Sequence, residues 1–192
     1  MNIALHPTPM TADAFLAWPG DGSGRRFNLV DGIARPMSPA SPTHSVIQAN
    51  VCMLVANAID AAGLDLTTLI EGTIVPGRQS GNNVRVPDVL VCSAPVERGM
   101  PAAPGPVLVI EILSPGNQAQ TRDNLRSYAS VPSVQEIVLV HSQRVLVEVQ
   151  RREADGTWTM DTVKPGSEPI LATVALRCPV EALYRRTWLT RP

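Results

Sequence analysis

One charged residue inside an otherwise apolar strand constrains this chain more than any other feature. In PVLVIEILSPG, residues 106–116, the run from Val107 to Leu113 has the length and β-branched content of a strand buried on both faces, yet it carries Glu111. An ionised carboxylate in an apolar interior is too costly to stand unpaired. It is either neutralised, or matched by a cation, a metal ion or several donors.

A second carboxylate lies one strand earlier, in VRVPDVLVCS. Side chains alternate along a strand, so Val107, Val109, Glu111 and Leu113 share one face, and Val84, Val86, Asp88, Leu90 and Cys92 share another. If the two strands form an antiparallel pair whose loop is centred between Gly99 and Met100, Asp88 falls opposite Glu111. Two carboxylates meeting in an apolar sheet repel unless positive charge lies between them. Mg²⁺ or Mn²⁺ would fill that role, since hard divalent ions take one or two carboxylates together with waters and phosphate oxygens. The alternative is that Asp88 is a turn residue and Glu111 pairs with an arginine such as Arg85.

The rest of the sequence frames a single domain over residues 1–192. With 44% hydrophobic and 17% charged residues, the chain can bury a sizeable core. A net charge of −1 argues against a protein that coats nucleic acid nonspecifically, though a local basic groove remains compatible with it. Cys52, Cys92 and Cys178 are odd in number and set among apolar neighbours, as expected of reduced thiols in a cytoplasmic protein. No basic segment followed by an apolar stretch marks a signal peptide, and no uninterrupted apolar run reaches membrane-spanning length, so no membrane association is expected.

Local patterns predict a short helix after Thr11 and a hairpin in RFNLVDGIARPM around an Asp-Gly turn. A long helix from about Thr43 to Ala62 follows, closed by Gly63. Strands are expected in LTTLIEGTIVPG, VRVPDVLVCS, PVLVIEIL, VQEIVLVH, RVLVEVQRR and GTWTMDTV, with helices at Asn117–Ser130 and in the terminal PVEALYRR. Many strands and few helices imply an α/β sheet flanked by helices.

Together, MTADAFLAWP, FNLVDG, MSPASPTHS before a long helix, VRVPDVLVCS, VLVIEILSP, a helix carrying Tyr128, and PSVQEIVLV resemble the Uma family of putative restriction endonucleases from about Met10 to Leu183. That resemblance implies a restriction-endonuclease-like mixed sheet flanked by helices, similar to the PD-(D/E)XK nucleases. It implies a nuclease acting on DNA, with Asp88, Glu111 and the backbone carbonyl of Ile112 holding Mg²⁺ or Mn²⁺ to polarise a phosphate and activate a water. Two family positions differ. Asn28 stands where a glutamate is usual, and Asn124, four residues before Tyr128, stands where the catalytic lysine is usual. Lys164, the only lysine, lies in a distant turn, and Arg122 and Arg126 are each about 200° around the helix from Asn124. A nuclease-like fold kept as a non-catalytic binding or structural module, a homodimer among its forms, is therefore the rival reading. His44 and Glu71 are further candidates for the same cleft, and Arg78, Arg85, Arg122 and Arg126 for phosphate contacts.

Overall fold

The computed structural model describes residues 9–76, 81–116 and 118–191. Its centre is a six-stranded sheet built from β3 (Thr67–Ile70), β4 (Val89–Cys92), β5 (Pro106–Leu113), β6 (Glu136–His141), β7 (Val147–Arg152) and β8 (Trp158–Val163), in that spatial order. Neighbours run antiparallel except β5 and β6, which are parallel. A parallel connection needs a crossover, and α3 (Gln118–Ala129) supplies it. The sheet is mixed for that reason, as expected.

The helix α2 (Pro42–Ala62) covers the opposite face. Ser41 caps its first turn by accepting from the His44 N–H, Pro42 occupies the first turn, and Gly63 ends it with a left-handed φ of 62°. By length and a mean hydropathy of 1.3, α2 is apolar enough to cross a membrane. Its stripe of Ile47, Val51, Val55 and Ile59 is instead buried against Val89, Val91, Leu108, Ile110, Ile112 and Val138 of the sheet. Four such side chains, at roughly 1.5–3 kcal/mol each, fix the helix firmly on the sheet. That anchoring matters because its N-terminal turns carry polar residues to the end of β4.

The hairpin β1 (Phe27–Val30) and β2 (Ile33–Pro36) stands apart from the main sheet and turns at Asp31 and Gly32, with φ of 50° and 81°. Two positive φ values match the Asp-Gly turn read from the sequence. The short α1 (Ala12–Leu16) is capped by Thr11. Leu29 of β1 exchanges backbone hydrogen bonds with Val84, tying the hairpin to the segment before β4.

Two expectations need correction. VRVPDVLVCS is not one strand: Val84 and Arg85 make isolated bridges to Leu29 and Ile74, and β4 begins only at Val89. Pro87 has no N–H to give a ladder, and the chain bends at Asp88. Val84 consequently packs with Ala12 and Leu29, not with Leu90 and Cys92. The PVEALYRR segment forms a 3₁₀ turn over Val180–Tyr184 and not an α-helix. Just before it, β9 (Ile170–Leu171) and β10 (Leu176–Arg177) make a second small hairpin.

Candidate active site

The expected register is the observed one at the centre of β4 and β5. Val89 pairs with Ile110 and Leu90 with Val109, so one step further along the same line sets Asp88 beside Glu111. The break after Pro87 matters here. Asp88 is no longer a ladder residue, and its carboxylate turns onto the buried end of β5 beyond the β4 ladder, where Oδ2 accepts from the Ile112 N–H at 2.6 Å. In extended backbone a residue's N–H and C=O point to the same side, which turns the Ile112 carbonyl toward Asp88 as well.

The helix α2 completes the clamp. His44 Nε2 lies 3.0 Å from Asp88 Oδ1, and Gln48, one turn on, donates from Nε2 to the Asp88 carbonyl at 2.9 Å. The Nδ1 atom of His44 is buried without a hydrogen-bond partner among the described residues. The SPASPTH loop thus does more than precede a helix. It delivers His44 to the carboxylate.

Glu111 is oriented from the other side of the sheet. Tyr128 of α3 donates its hydroxyl to Glu111 Oε1 at 2.6 Å, and Asn124, one turn earlier, hydrogen-bonds the same carboxyl. Thr121, Asn124 and Tyr128 form a buried polar stripe on α3, a costly arrangement unless it faces polar partners. Burial pushes the Glu111 carboxyl up to about 8, the nearby Asp88 charge adds to that rise, and the bonds from Tyr128 and Asn124 oppose it. Burial and the Glu111 charge drive the Tyr128 phenol upward, so it remains a donor.

Arg85 is not the partner of Glu111. Its guanidinium donates to the Leu29 carbonyl, to Val84 O at 3.2 Å, to Asn83 Oδ1 at 3.0 Å and to Ser127 Oγ at 3.2 Å. Burial lowers its pKa, and the neighbouring acidic groups of Tyr128, Asp31 and Glu111 oppose that shift. Among the described residues, Glu111 makes no ion pair with any arginine.

The two carboxylates, Asp88 7% and Glu111 5% exposed, line a cavity of about 330 Å³ with His44, Asn28, Glu71 and Asn124. Asn28 holds its place by accepting from the Val86 N–H at 2.9 Å. No three His, Cys, Asp or Glu side chains converge on one point among the described residues. Two carboxylates, a backbone carbonyl and open space for waters and phosphate oxygens are nevertheless a hard-oxygen donor set of the kind Mg²⁺ uses. The Asp88 charge disfavours ionisation of Glu111, and a cation would relieve that conflict. The residues present fit a divalent ion.

Other candidates stand elsewhere. Arg122 pairs at 3.2 Å with Glu148, which also meets His141 Nε2 at 2.8 Å, a polar anchor for α3 outside the cavity. Arg126 is exposed, and Arg78 lies outside the described residues, as does Asn117 at the start of the expected helix. Tyr128 appears in the sequence only as a landmark. Its spacing of four from Asn124 was the available sign that both reach one partner. Likewise His44 and Gln48, also four apart, share the face of α2 that meets Asp88.

Comparison with known proteins agrees with this fold. The chain is 26% identical over 178 residues to an uncharacterized protein of Synechocystis sp., covering 92% of each. It is similar in fold to the crystal structure of a putative nuclease belonging to DUF820 from Anabaena variabilis, with a TM-score of 0.70 at 20% identity, over 92% of this chain and 98% of that one. Residues 12–181 match the Uma2 family, described as "Putative restriction endonuclease". With nearly the whole chain matched and the mixed sheet in place, the protein belongs to the Uma2 family of putative restriction endonucleases.

Proposed function

We propose that this protein is a Mg²⁺- or Mn²⁺-dependent endonuclease that hydrolyses DNA phosphodiester bonds slowly. The observation that carries the reading is the apposition of Asp88 and Glu111, both buried, both oriented by dedicated donors, at one cavity. Asp88, Glu111 and the Ile112 carbonyl would hold the ion. A divalent cation bound there supplies charge to a phosphate oxygen and lowers the pKa of a bound water.

The protein's own residues do the positioning. His44 and the Ile112 N–H fix both oxygens of Asp88, and Tyr128 fixes Glu111, so neither carboxylate has to reorganise on binding. Asn124 orients a water through its amide but contributes no net charge, and Asn28 removes a third carboxylate from the wall. A missing charge-stabilising group lowers rate by roughly two to four orders of magnitude. Slow turnover follows from that deficit.

The test restores the charge. Asn124→Lys should raise cleavage of plasmid DNA in Mn²⁺, Asn28→Glu should add to it, and both gains should vanish in a Glu111→Ala background. If both variants fold and bind metal yet neither cleaves, the nuclease fold serves here as a binding module.

A further inference from the structure

The mouth of the cavity carries a charged pair that the two-carboxylate site does not use. Arg26, in the segment leading into β1, forms an ion pair with Glu71, the residue directly after β3, and both line the cavity with Asp88 and Glu111. Each backbone is fixed. The Glu71 N–H donates to the Asp88 carbonyl at 3.1 Å and the residue takes a left-handed φ of 53°, while the Arg26 carbonyl accepts from the Met37 N–H at 2.8 Å. The side chains are not buried: Arg26 is 56% and Glu71 30% exposed. The other arginine at this cavity, Arg25, is engaged elsewhere, paired with Asp21 at 3.4 Å and lying over the Phe27 ring at 6.0 Å. With Asn124 in the lysine position, Arg26 is, among the described residues, the guanidinium best placed to meet an anion at the mouth.

We infer that Arg26 is a DNA-phosphate contact of this cleft and that Glu71 occupies it in the free protein, so that a backbone phosphate binds by displacing the Glu71 carboxylate from the Arg26 guanidinium. This rests on the nuclease reading, since a duplex brought to Asp88 and Glu111 must pass the mouth. A guanidinium offers the same fork of donors to a phosphate as to a carboxylate. An exposed ion pair contributes little and exchanges readily. Because the Glu71 backbone is tied to Asp88, the carboxylate stands at the mouth until an anion replaces it.

The test measures anisotropy of a short labelled DNA duplex in EDTA, where no cleavage occurs, across a salt series. Glu71→Gln should tighten binding by about 3- to 10-fold, because the guanidinium no longer has a competing anion. Arg26→Gln should weaken it by about 10-fold and reduce the salt slope by about one. In the double variant the gain from Glu71→Gln should disappear, since Glu71 acts through Arg26. Thermal melting confirms that each variant folds. A Glu71→Gln gain that persists without Arg26 means general repulsion and overturns the displacement, as does a Glu71→Gln variant that binds no tighter than wild type. If wild type fails to bind duplex at low salt both in EDTA and with Ca²⁺ supplied as a hard divalent ion, the nuclease reading falls and this inference with it.

Discussion

Metal affinity should depend steeply on pH, and Glu111 sets how steeply. A carboxyl raised to about 8 is mostly protonated at neutral pH, and a metal ion requires it ionised. One such proton predicts that the apparent affinity for Mg²⁺ or Mn²⁺ improves by about 25-fold between about pH 6.5 and 8.5, with about 0.9 proton released per ion near pH 7. Calorimetry in buffers of different ionisation enthalpy measures both quantities. The same group governs stability without metal. Its pKa is raised in the folded state, so the folded protein holds a proton that the unfolded chain has released, and stability falls as pH rises from about 4.5 through about 8. At about 1.4 kcal/mol per pH unit the loss is at most roughly 5 kcal/mol. Glu111→Gln should flatten this slope and be more stable than wild type at about pH 8.5 in EDTA, while losing metal binding. Equal slopes in the two proteins, or metal affinity independent of pH, would refute the reasoning.

Asp88→Ala should abolish Mg²⁺ and Mn²⁺ binding by calorimetry, and should cost about 1–3 kcal/mol by removing the carboxylate that accepts from the buried Ile112 N–H. Binding that survives this substitution places the metal elsewhere. Tyr128→Phe removes the donor to Glu111 Oε1, so it should move the pH profile of metal affinity upward and lower Tm by several degrees, as expected for about 1–3 kcal/mol in a chain of this size. An unchanged profile means that the phenol does not orient the carboxylate.

Much of this protein is legible in its sequence. Helix α2 announced itself through Ile47, Val51, Val55 and Ile59 and stopped at Gly63, and the Asp31-Gly32 turn fixed its hairpin, because each signal is local and repeats with the period of its element. The Asp88 and Glu111 pairing was visible as one compatible register, since strand alternation with a loop centred between Gly99 and Met100 aligns them, and the ladder from Val89 to Val91 has that register. What the sequence did not determine was what surrounds that pair. His44 is 44 positions from Asp88 and Tyr128 is 17 from Glu111, and a periodic pattern reports which face a residue occupies but not which partner lies across it. The break at Pro87, which frees Asp88 to reach the Ile112 N–H, reads as a mere interruption until the neighbouring strand is in place. The ion pair between Arg26 and Glu71 has no local signature at all. It arises because packing brings the edge of a separate hairpin beside the end of β3, and contact between distant segments is decided by tertiary structure alone.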